Sequence, residues 1–151
     1  MSSFTRPLVA DGPLVPVQFG FARPTERKIR MSRRAVLQPG TGSALIDSGS
    51  DVSIIERGLL TPYVREGMPL VAFVHVNAPG LGGLNLRPQY LVGLRIEHPS
   101  GNQKNDLMIP AIDLVEHDFG GLGYQLLIGR DILARCKLLY DGPANTFSLT
   151  Y

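Results

Sequence analysis

The residues best placed to do chemistry sit where an apolar run stops. Ala44-Leu45-Ile46 reads as a buried strand, and it leads directly into Asp47-Ser48-Gly49-Ser50-Asp51. Delivering a carboxylate from a buried strand into a tight turn is costly unless something nearby satisfies or uses the charge. Gly49 lets the backbone fold close behind the acid, and the Ser48 hydroxyl can bond neighbouring backbone groups. The chemistry open to such a carboxylate is proton exchange with water. The same residue types are ordinary turn formers, so on their own they favour a plain turn.

A second stretch changes the balance. Leu126-Leu127-Ile128 is another short apolar run, and it enters Gly129-Arg130-Asp131-Ile132-Leu133, which reads as a brief helical segment. The two stretches stand about 80 residues apart. Together they resemble the retropepsins, the aspartic proteases of retroviruses and their cellular and bacterial relatives. Those enzymes run a hydrophobic strand into Asp-Thr/Ser-Gly-Ala/Ser and later show two apolar residues, Gly, Arg and Asn/Asp before a helix. The match is firm over about 44–55 and 126–140 and only topological between them. Ser48, Ser50 and Asp131 stand where Thr, Ala and Asn are common, and none of these changes removes a catalytic group.

The resemblance implies a mostly β chain: a closed barrel of the acid-protease fold, a short helix in the C-terminal half and a flap hairpin, active as a C2 homodimer. It implies an aspartic endopeptidase in which Asp47, Ser48 and Gly49 form the catalytic turn, with Ser48 bracing the dyad across the two-fold axis. Gly49 and Asp51 would contact the substrate main chain, and Asp51 would form an ion pair with Arg130. Removing one partner would cost about 3–5 kcal/mol if that pair is well buried. Gly80, Leu81, Gly82 and Gly83 would form a flap tip over an extended peptide; an ordinary surface hairpin loop is the competing reading. Only one Asp-Ser-Gly occurs in 151 residues, so the second acid must come from another copy. The absence of an internal duplicate argues against a two-lobed architecture, which needs about twice the length. A non-catalytic dimerisation or peptide-binding module of the same fold is the alternative.

The rest of the chain must position these stretches. At this length a single domain buries about 68–70% of its unfolded surface. Residues 1–13 read as a loosely held polar arm, with a pro-segment, a linker and a packed strand all open as its role, and 14–151 as the domain. Leu14–Ala22 alternates as a half-buried strand. Residues 23–34 carry six basic side chains against Glu26 and read as a solvated hairpin. A nucleic-acid or acidic-partner patch is the competing reading, and nucleic acid is disfavoured there because no aromatic side chain is interleaved for stacking. Pro39-Gly40 and Thr41-Gly42 suggest a hairpin joining 35–37 to 44–46. A helical turn is expected over 56–60, strands over 70–76, 90–96 and 107–112, and a terminal strand, turn, strand. Phe147–Tyr151 alternates as an edge strand should, and so is a candidate to tie two subunits together.

Several function classes are set aside. The net charge of +2 is too small to imply a nucleic-acid partner for the whole domain. His75, His98, His117 and Cys136 lack metal-ligand spacing, so neither metal nor other cofactor is expected. The lone Cys136 reads as a buried small hydrophobe on the helix after Gly129 and fits a reducing compartment. No apolar run approaches membrane-spanning length, and a cytoplasmic location without membrane contact is expected.

Overall fold

The computed structural model describes residues 1–78 and 83–151. Ten strands and three α-helices follow one another along the chain among the described residues. The barrel begins with β2 (Leu14–Phe21), where Val15, Val17 and Phe19 point inward at every second position. It pairs antiparallel with β3 (Gly40–Ile46), with Leu14 opposite Leu45. β8 (Leu126–Ile128) lies parallel to β3, and β4 (Ile54–Glu56) lies antiparallel to β8. β7 (Leu107–His117) runs parallel to β4 and antiparallel to β6 (Gly83–Ile96). β6 then pairs back onto β2, with Phe19 opposite Leu94, and this last ladder closes a six-stranded barrel. Its interior is filled by Val15, Val17, Leu94, Ile96, Leu126 and Ile128, all buried.

Closure depends on Gly93. A Cβ there would stand 2.5 Å from the Phe21 carbonyl oxygen, so only glycine lets β6 approach β2 this closely. The register of β6 against β7 also shifts at this point, between Val92 and Leu94. The other half of β6 leaves the barrel and pairs with β5 (Leu70–Ala78) as a long antiparallel hairpin. Gly83 is the first residue of β6 and pairs with Ala78, so it belongs to a strand rather than to the loop expected from sequence. Gly80, Leu81 and Gly82 lie outside the described residues.

A second sheet stands beside the barrel, ordered β1 (Ser3–Pro7), β10 (Thr146–Thr150), β9 (Lys137–Asp141). The N-terminal arm is therefore not loosely held: Ser3–Pro7 pairs in full with Thr146–Thr150, and Phe4 is buried edge-on against Phe147. β10 is correspondingly a central strand and not an edge, because β1 occupies one side of it and β9 the other.

Residues 23–34 do not form the expected hairpin. They contain α1 (Arg23–Met31), with proline in its first turn and Thr25 and Ile29 buried one turn apart. That i, i+4 pair is the helical period, which the run of basic residues hid. Residues 35–37 form no strand, and β3 takes β2 as its hairpin partner in their place. The turn over 57–60 leads into α2 (Thr61–Arg65), which carries Pro62 in its first turn instead of ending before it. α3 (Arg130–Leu133) is a single turn, so Cys136 falls beyond it, half-buried against the core. None of the described helices is long and apolar enough to cross a membrane.

Candidate active site

β3 and β4 are consecutive in sequence but not neighbours, because β8 is inserted between them. The connection 47–53 must therefore arch over the end of β8, and Asp47 stands at the start of that arch. Its backbone N–H donates to the Ile128 carbonyl at 2.9 Å, continuing the β3–β8 ladder one residue past the strand. The Gly49 N–H then donates to Asp47 Oδ1 at 2.8 Å, and the Ser50 N–H to the Asp47 carbonyl at 3.2 Å. These bonds fix the carboxylate from the protein side. Asp47 is half-buried, Ser48 and Gly49 are exposed, and Asp47 Oδ2 accepts no hydrogen bond among the described residues.

Gly129 lies beneath the arch. A Cβ there would meet Val52 O at 2.5 Å, Val52 C at 2.6 Å and Ser50 O at 3.0 Å. The arch can sit this low only over a residue without a side chain. Its far foot is pinned by a network that sequence reasoning did not find. Ser53, fully buried, donates from Oγ to Asp131 Oδ1 at 2.7 Å and from its N–H to Asp131 Oδ2 at 2.9 Å. The Gly129 N–H donates to Ser53 Oγ at 2.9 Å, and the Ile132 N–H to Asp131 Oδ1. Asp131→Ala would leave the buried Ser53 donors without partners, at about 1–3 kcal/mol for each group stranded. Asp131→Asn, which keeps a carbonyl oxygen, is expected to cost less, and urea unfolding of the two variants checks the order.

Arg130 and Asp51 meet as an ion pair on the outer side of the arch. Their side chains are 59% and 80% exposed, which removes the premise of a well-buried pair. For the single subunit Arg130→Ala is therefore expected to cost about 0–1 kcal/mol, not 3–5, because solvent screens both charges. Thermal melting at low concentration reads this directly; a loss of several kcal/mol there would contradict the exposed placement of the pair.

Beside the arch, Ile54, Val76, Val115, Phe119 and Leu127 form a small buried cluster separate from the barrel core. Val52, Val74 and Tyr124 pack against it, so it joins the β5 arm to the loop before β8. Tyr124 rests on Phe119 with ring centroids 5.8 Å apart. Burial, and then the negative charges of Asp11 and Asp47, push its hydroxyl above the ordinary tyrosine range and keep it protonated. The sequence offered only two aromatics in a glycine-rich loop as a signal for this wall. Among the described residues no three metal-ligating side chains converge.

This arrangement can be set against known proteins. No protein-family model matches the sequence, and no curated protein matches it. Solved structures do match. A retropepsin-like aspartic protease from Rickettsia conorii superposes with a TM-score of 0.55 at 11% identity, over 99% of this chain and 90% of that one. The chain has the retropepsin-like fold. An aspartic proteinase from Irpex lacteus superposes with a TM-score of 0.54 at 12% identity. There the alignment takes in 99% of this chain but 47% of the other, so the retropepsin-like chain spans about half that proteinase's length.

Proposed function

We propose that the chain is an aspartic endopeptidase whose active site is completed by two copies, each contributing Asp47. The observation that carries this reading is the arched Asp47 turn in a fold spanning about half of the Irpex lacteus proteinase. One copy brings one acid, and two-fold symmetry brings its equivalent to the same axis.

Two carboxylates that share a site do not both ionise readily, as is general for aspartic protease dyads. The ionised Asp47 takes a proton from water while the protonated one donates to the scissile carbonyl oxygen, giving a tetrahedral diol. Collapse of that diol breaks the C–N bond, and the amine nitrogen leaves with a proton from the dyad. Ser48 braces the two turns across the axis. The Gly49 carbonyl and Asp51 hold the substrate main chain, which lies as an extended strand beneath the β5–β6 arm acting as a flap. Val52, Val74, Tyr124 and Leu127 supply the apolar wall for its side chains.

Incubation with a mixed-sequence peptide library, read by mass spectrometry, tests the reading. Cleavage by the native chain and none by Asp47→Asn is the expected result. No cleavage by either would favour a non-catalytic peptide-binding role and contradict the proposal.

A further inference from the structure

At the far end of the barrel from Asp47, α1 covers a cavity of about 360 Å³. Pro39 lines it, and the next residue opens β3, whose seven residues carry the chain about 20 Å to the acid. Phe21, Val36, Leu37 and Met108 form its apolar side, and Arg23, Arg30 and the single acid Glu26 its charged side. The depression continues along α1 past Arg27 to Met31.

The charge at this end is lopsided. Residues 23–34 hold six basic side chains against one acid, a balance of +5, so with a total of +2 the other 139 residues sum to −3. Glu26 pairs with Arg30 and Glu66 with Arg34. Among the described residues Arg23, Arg27, Lys28 and Arg33 have no acidic partner. Arg23 also sits in the first turn of α1, where the helix dipole disfavours a cation. It stands one turn from Arg27, and like charges at that spacing weaken a helix. Two local penalties are thus kept beside a cleft that also exposes Leu37, Met108 and Met31.

We propose that this cleft binds an acidic segment of another polypeptide. Its carboxylates pair with Arg23 and Arg27, and a bulky apolar side chain enters the cavity beside Val36, Leu37 and Met108. The volume falls in the range of about 300–1,000 Å³ usual for binding pockets. Adaptable thioether and aliphatic side chains suit an apolar peptide residue. A single-stranded nucleic acid fits less well, because the two aromatic rings that line the cavity, Phe19 and Phe21, are buried and offer no exposed face on which a base can stack.

Asp47 takes no part in this binding, so the two proposals fail separately. The full chain carrying Asp47→Asn, which leaves the probe intact, is titrated with a fluorescein-labelled peptide of alternating Glu and Leu. A Lys-Leu peptide of the same length and a single-stranded DNA oligonucleotide are run beside it. Saturable binding of the Glu-Leu peptide is expected, weakening as salt is raised. Combining Arg23→Glu with Arg27→Glu should lower affinity at least about tenfold, as charge reversal at a complementary surface does. The same variant should melt close to its parent, because the acid gained at position 23 suits the helix dipole and a like-charge pair one turn apart is present before and after the change. On the unsubstituted surface, peptide-induced NMR shifts should fall on α1, Leu37 and Met108, a readout that needs no folded variant. The proposal is overturned by absent binding, equal binding of the Lys-Leu peptide, tighter binding of DNA, or shifts confined to other faces.

Discussion

Asp47→Asn is expected to lower kcat/KM for any cleaved peptide by at least about 10²–10⁴, the range supplied by acid–base catalysis. The substitution is nearly isosteric, and the amide oxygen can still accept the Gly49 N–H that bonds Asp47 Oδ1 at 2.8 Å. The arch therefore stays in place, and the melting temperature should stay close to that of the native chain. What disappears is a group able to be anionic before water attacks the scissile carbonyl and neutral afterwards. Steady-state cleavage of one fluorogenic peptide, with melting recorded on the same samples, separates the two effects. Activity retained within tenfold would place the chemistry on some other residue.

Gly129→Ala is expected to have the second largest effect, and through structure instead of chemistry. Its new methyl would stand 2.5 Å from Val52 O and 2.6 Å from Val52 C. Overpacking a well-filled site costs about 1–3 kcal/mol, and the upper end or beyond applies when the obstacle is backbone that cannot rotate away. Relief requires lifting the arch, which strains the Ser53–Asp131 network and the Asp47 N–H bond to Ile128. Loss of stability in urea and loss of activity should therefore appear together. A Gly129→Ala protein with native stability would mean that the arch sits higher than described.

The acid-bearing turn and the strand before Gly129 were legible because each couples an apolar run to residues that are awkward to bury. Their adjacency as parallel strands was not derivable from either stretch alone, and only the fold reveals it. α1 was misread because residues 23–34 are so basic that only Thr25 and Ile29 carry the helical period. β1 was left undecided because its inward positions include a single large apolar side chain, Phe4, among polar neighbours. Ser53 and Asp131 look like ordinary polar residues at 78 positions' separation, and their bond exists only once β8 lies between β3 and β4. Tyr124 gains its environment from Phe119, Asp11 and Asp47, three groups that only the fold assembles. For β1, Ser53, Asp131 and Tyr124 the hidden information was a long-range contact, and for α1 it was a local period masked by charge.

Two features bear on how copies would associate. β10 already has partners on both sides, so terminal strands cannot be shared through its edges without displacing β1 or β9. The free edges of that sheet belong to β1 and β9, and β9 exposes Leu139 and Tyr140. The arch also leaves Ser48 and Gly49 exposed, with one oxygen of Asp47 unbonded among the described residues.

Mixing native and Asp47→Asn subunits tests the shared active site most directly. After exchange at equal amounts, a two-fold assembly draws its partners independently, and only about a quarter of dimers hold two native acids. Activity at fixed total protein is predicted to fall to about a quarter of the all-native value, and specific activity of native protein to drop on dilution as dimers dissociate. A fall only to about one half, with specific activity indifferent to dilution, would show that one chain carries a complete site and would contradict the account.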